Sequence, residues 1–137
     1  MIRQIWNGLT KPSDFSDDWY GYLTNQFSHI GVGIFLAWLT CLAAFIISGD
    51  MPYRIHVFIF LGISYFFKEL IFDKWQGKDT IEDVLFVVFY GAGGTLASFK
   101  QMDQFSSDVV FNIYSALPIF IFSMAHLTYG TVSRIKK

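Results

Sequence analysis

Charge is scarce in this chain. Lys, Arg, Asp and Glu make up 15% of its 137 residues, against roughly a quarter in ordinary soluble domains. Ten basic and eleven acidic residues leave a net charge of -1. No basic stripe or RNA-binding motif is present, so nucleic acid is not an expected partner. There is a single cysteine, Cys41, inside an apolar tract. That excludes a disulfide framework and assigns the thiol to packing. Met1 to Ser16 has no apolar run, and Asp14, Asp17 and Asp18 follow closely. No secretory signal is therefore expected, and the first true span should lead insertion. Lipidation motifs are missing too: Ile2 follows Met1, and no cysteine lies near Lys137. Neither a Gly-x-Ser-x-Gly elbow nor a phosphate-binding Walker sequence occurs. Three histidines are too few for a His-rich di-iron oxygenase.

What is abundant is apolar surface. Hydrophobic residues make up 53% of the chain and aromatics 20%, with a mean hydropathy of +0.42. Because the charges are clustered, long apolar tracts remain. The fold class expected is all-α: an integral membrane bundle of four transmembrane helices with a short N-terminal interfacial helix. Ile2, Ile5, Trp6 and Leu9 recur at helical spacing for that interfacial helix. Trp19, Tyr20 and Tyr22 read as an aromatic belt at the headgroup level. The spans are expected at about Asn25–Ile47, Pro52–Phe72, Thr80–Phe99 and Val109–Tyr129, each near the length a bilayer core of about 30 Å requires. The corresponding division is an interfacial segment over 1–24, a membrane domain over 25–131 and a basic tail over 132–137. Gly31, Gly33, Gly91, Gly93 and Gly94 mark expected close helix contacts. Pro118 is a candidate kink.

Even numbers of spans put both termini on one side. Arg3, Lys11, Lys74, Lys78, Arg134, Lys136 and Lys137 would share that side, with only Arg54 and Lys100 opposite. The positive-inside rule makes it the cytoplasmic side of the inner membrane. His29, Glu69, Asp83 and His126 would then each lie about one turn inside that face, one per span. Charges at such depth are costly unless they turn inward and find partners. Asp73 and Asp79 would add an outer layer, with Asn25 and Tyr129 in reach. Glu69 and Asp73 are four apart, as are Asp79 and Asp83, so each pair shares a helix face.

Three readings of the cluster stand. In the first, His29, Glu69, Asp83 and His126 hold a divalent metal ion. Imidazole with carboxylate suits Mn, Fe or Zn, whereas mostly oxygen ligands suit Mg or Ca. In the second, His29, Glu69, Asp73, Asp79 and Asp83 bind a polar headgroup or small cation. In the third the residues are structural: Asp79 caps the third span, Glu82 completes a capping box, Asp73 pairs with Lys74 or Lys78, and His29 bonds Glu69 or Asp83. Lys68 would snorkel to the headgroups, and His56 is interfacial. Metal-activated water is the one chemistry these residues would plainly support.

His29 early in a span, then Lys68-Glu69-x-x-x-Asp73, then Asp79-x-x-x-Asp83 and a Gly-rich helix, resembles the VanZ-like small membrane proteins, including those of the YfiM type. The resemblance runs over roughly 29–94. It implies a compact helical bundle whose His and acidic residues converge at one membrane face. Some family members are linked to low-level glycopeptide resistance. The chain departs from the pattern at three places. Val87 stands where the family often has Asn, the glycine is displaced to Gly91, and Asn25 replaces an Asp.

The function expected from sequence is a small envelope protein of the inner membrane that binds a divalent cation or a charged lipid or envelope ligand. At most it would be a metal-assisted hydrolase of a lipid-linked substrate. The expected partners are membrane lipids, with protein partners or a homo-oligomer also admitted. A subunit of a larger membrane complex and a holin-like pore-former are the alternatives.

Overall fold

The computed structural model describes residues 17–49, 52–72, 78–98 and 113–135. These form α1 (Trp19–Ser48), α2 (Arg54–Ile71), α3 (Lys78–Val84), a π-helical segment (Leu85–Gly93), α4 (Gly94–Ser98) and α5 (Ile113–Ile135). The three elements between Lys78 and Ser98 follow one another without a break. The described residues contain no strand. The interfacial helix expected before Trp19 lies outside them.

Among the described residues, three helices are long and apolar enough to cross a membrane: Trp19–Ser48, Thr80–Ser98 and Tyr114–Ile135. The eighteen residues of α2 include Arg54, Lys68 and Glu69 near its ends. Their apolar middle resembles a span, but the charges set α2 apart from the other three.

Helix bounds differ from the sequence expectation for local reasons. α1 starts at Trp19 rather than Asn25, because Asp18 caps it. The Asp18 Oδ1 accepts the Gly21 N–H at 2.8 Å, satisfying one of the first turn's spare donors. The aromatic belt is thus part of the helix. At the other end Gly49 takes a left-handed φ of 77° and returns its N–H to Phe45 O at 2.8 Å, a conformation glycine adopts without Cβ strain. α3 starts at Lys78, which puts Asp79 in the first turn rather than at a cap. α5 continues past Tyr129 to Ile135 with Pro118 inside it. Arg134, expected in a tail, is therefore on the last turn of a helix.

The core is small. Ala37, Cys41, Val57, Leu61, Ala92 and Leu96 form its buried cluster, with Leu36 and Phe58 packed against it. Most of the large apolar side chains face outward. Phe35, Ile46, Ile47, Phe60 and Phe122 are all more than half exposed, as lipid-facing side chains are. Within the apolar helices the hydroxyls bond back to the chain: Thr24 Oγ1 donates to Tyr20 O and Ser28 Oγ to Thr24 O. Such bonds satisfy polar groups that lipid cannot.

The tightest contact joins α1 to the π-helical segment. A Cβ on Gly33 would fall on the Val87 carbonyl oxygen and within 2.9 Å of Ala92 N. A Cβ on Gly91 would meet Ile30 O at 2.5 Å. Two backbones touch there with no side chain between them. Gly31, expected to share this role, faces open space.

Candidate functional site

Three polar pairs gather at one end of the bundle. The N-terminal ends of α1 and α3 meet the C-terminal end of α5 there. The end of α2 is tied to the same place by its packing against α3.

The first pair bridges α1 and α3. His29 Nδ1 lies 3.0 Å from Asp83 Oδ1 and 3.3 Å from Gln26 Oε1. The side chains of His29 and Asp83 are 20% and 23% exposed. Nδ1 is thus occupied by protein, and Nε2 is the ring nitrogen not engaged in these contacts.

The second pair lies on α2. Glu69 is 1% exposed, and Lys68 Nζ lies 2.8 Å from its Oε1. Neighbouring residues on a helix diverge by about 100°, so the long Lys68 stem must fold across. Its ammonium also stands 5.1 Å from the centroid of the Tyr65 ring. The expectation that Glu69 faces protein holds. Lys68, expected to reach the headgroups, turns to Glu69 instead.

The third group joins α3, α5 and α1. Arg134 Nη2 is 3.9 Å from Glu82 Oε2, and both side chains are largely buried. The same guanidinium lies over the Tyr22 ring at 3.7 Å and donates to Gly130 O at 3.0 Å. Glu82, expected in a capping box, is therefore an inter-helix partner. Tyr22 is fully buried, and its Oη has no hydrogen-bond partner among the described residues. Removing that hydroxyl should relieve an unsatisfied group while keeping the ring under Arg134. We expect Tyr22→Phe to hold or raise stability by up to about 1 kcal/mol. A thermal melt in detergent checks it: a clear loss would mean that the hydroxyl has a partner.

His126 stands apart from these. Its Nδ1 lies 3.2 Å from Tyr90 Oη, and its ring packs on Phe86 at 5.0 Å between centroids. No family model, curated protein or solved structure matches the chain. The site must therefore be read from its own geometry.

The structure joins His29 to Asp83 directly and gives Glu69 and His126 other partners. Among the described residues, no three His, Cys, Asp or Glu side chains come together as metal ligands would. His29, Glu69, Asp83 and His126 thus do not form the four-ligand metal set expected of them, because Tyr90 and Lys68 engage two of its members. Of that set, only His29 and Asp83 meet among the described residues, where a divalent ion takes four or more ligands. Asp73 and the side chain of Asp79 lie outside the described residues. Tyr129, expected in the outer layer, is 76% exposed.

Sequence reasoning missed Tyr22, Gln26, Tyr90 and Arg134. A signal for three of them was available. Tyr22, Gln26 and His29 follow i, i+4, i+7 spacing, and His126, Gly130 and Arg134 follow i, i+4, i+8. Both sets mark one helix face, but ending the fourth helix at Tyr129 hid the second.

Proposed function

We propose that this is a four-span protein of the cytoplasmic membrane, with α2 as the fourth span and both termini inside. In this reading it binds a charged ligand at its cytoplasmic face. The ligand is the headgroup of a lipid or envelope molecule, or a divalent cation that such a group carries. The observation that supports it best is the His29–Asp83 pair. It bridges two helices, stays about one-fifth exposed, and leaves Nε2 and a carboxylate edge for a ligand. Glu69, Glu82 and Arg134, groups of both signs, lie at the same end of the bundle, which suits a zwitterionic or cation-bridged ligand better than a bare metal. The likeness to VanZ-like proteins points to the same end of the bundle through His29, Glu69 and Asp83. The positive-inside distribution supports the orientation.

A second reading is supported by the pairing itself. Lys68–Glu69, Glu82–Arg134 and His29–Asp83 each have an internal partner. In this reading the pairs fix helix packing, and the exposed apolar face of α1 meets another subunit.

One comparison separates the two. The detergent-purified protein and a Glu69→Gln/Asp83→Asn variant are analysed for metal by elemental mass spectrometry and for bound lipid after extraction. Under the ligand reading the parent carries near-stoichiometric ligand, and a folded variant carries less than about a tenth of it. Equal content in two equally stable proteins would sink the ligand reading. A variant that unfolds would favour the packing role.

A further inference from the structure

The His29–Asp83 pair differs from its neighbours in charge balance. Glu69 has the Lys68 ammonium at 2.8 Å, and Glu82 has the Arg134 guanidinium at 3.9 Å. Among the described residues Asp83 meets neither a lysine nor an arginine; its partner is an imidazole. That ring is held in one sense. Nδ1 faces Asp83 Oδ1 at 3.0 Å and Gln26 Oε1 at 3.3 Å. An ionised carboxylate can only accept, so Nδ1 carries the hydrogen and Nε2 of the neutral ring carries the lone pair. Gln26 is buried and keeps its oxygen on the same nitrogen. The buried side-chain atoms without a partner among the described residues are Tyr22 Oη and Thr131 Oγ1. His29 Nε2 and Asp83 Oδ2 are not among them. They reach the surface, and no side chain of the described residues donates to either.

Two open acceptors beside a carboxylate without a cation select the occupant. A phosphate would bring oxygens to acceptors. A trimethylammonium group has no N–H to give. A primary ammonium has three, with the charge that Asp83 lacks opposite it. Asp83 lies three residues into the span that begins at Thr80, about one turn from its end, within reach of the headgroup layer. We propose that this pair receives the primary ammonium of an ethanolamine phospholipid, with its N–H groups on His29 Nε2 and the Asp83 carboxylate. The assignment rests on the ligand reading of this end of the bundle and names the group that the ligand carries.

Native mass spectrometry of the full chain tests it, in micelles holding equal amounts of phosphatidylethanolamine, its N-methyl and N,N-dimethyl forms, and phosphatidylcholine, all with the same acyl chains. The series removes the N–H groups one at a time and leaves the phosphate and the positive charge in place. The parent should retain phosphatidylethanolamine over phosphatidylcholine by about tenfold, the worth of one hydrogen bond to a charged group, with the two intermediates between them. His29→Phe and Asp83→Asn, each shown by a thermal melt to be folded, should lose most of that preference. Equal retention of all four lipids would overturn the proposal; if Glu69→Gln/Asp83→Asn then shed them all, the ligand reading would stand with a different recognised group. A parent that retains no lipid would remove the proposal and the lipid reading together. A preference that survives in both folded single variants would overturn it by placing the ammonium elsewhere. Free phosphoethanolamine held as well as the lipid would overturn the lipid as the source of the ammonium. The methylation series is read on the parent, so a variant that fails to fold leaves the test intact.

Discussion

Gly33→Ala should destabilise the protein by about 3 kcal/mol, at the upper end of the cost of overpacking. In a detergent melt that corresponds to a fall in Tm of about 10 °C. The added methyl would land on the Val87 carbonyl oxygen and close to Ala92 N. Both are backbone atoms, which cannot swing aside as a side chain does. α1 would have to move off the π-helical segment and disturb the contact at Gly91 as well. Gly31→Ala, only two residues away, should have the opposite sign. Nothing lies within 4 Å of a Cβ there, and alanine is favoured over glycine inside a helix by up to about 1 kcal/mol. Equal effects from the two substitutions would contradict the close backbone contact.

The Lys68–Glu69 pair should respond unequally to its two halves. Glu69 is 1% exposed and the Lys68 side chain is 41% exposed. Lys68→Met removes an ammonium 2.8 Å from a buried carboxylate, a loss of up to about 3 kcal/mol where a buried charge loses a partner. Glu69→Gln leaves a neutral group of the same shape and a lysine able to extend to the headgroups. It should cost under about 1 kcal/mol. The double variant Lys68→Met/Glu69→Gln should recover most of the loss, so the cycle would report strong coupling. Additive losses would show that Glu69 does not depend on Lys68.

The helices were legible in the sequence because lipid imposes a simple demand: long apolar runs must close their backbone hydrogen bonds internally. The turn at Gly49 and the inward turn of Glu69 were legible for the same local reasons. The bounds were less so. Asp18 extends α1 by a cap that apolar periodicity does not register, and α5 runs on through Thr131 and Ser133 to Arg134 although hydropathy has already fallen. Part of the site followed from depth: the ends of α1, α3 and α5 coincide, and His29 finds Asp83. Depth does not give direction around a helix, however. It could not show that His126 turns to Tyr90, or that Glu82 reaches Arg134. The departure from an α-helix at Leu85–Gly93 changes the angle between Asp83 and everything after it. No residue type in Leu-Phe-Val-Val-Phe-Tyr-Gly-Ala-Gly announces it.

That nine-residue wide segment also bears on how the protein meets the bilayer. Thr80–Ser98 has nineteen residues, about 28 Å if wholly α-helical. A π-helical stretch places more residues in each turn and so rises less for each one. The described part of this helix is therefore shorter than the same residues would be in a regular α-helix. The thirty residues of α1 extend about 45 Å. Its first turns carry the aromatic belt and the polar Asn25, Gln26 and His29, so only part of that length is apolar. A helix as long as α1 must tilt in a bilayer or emerge from it.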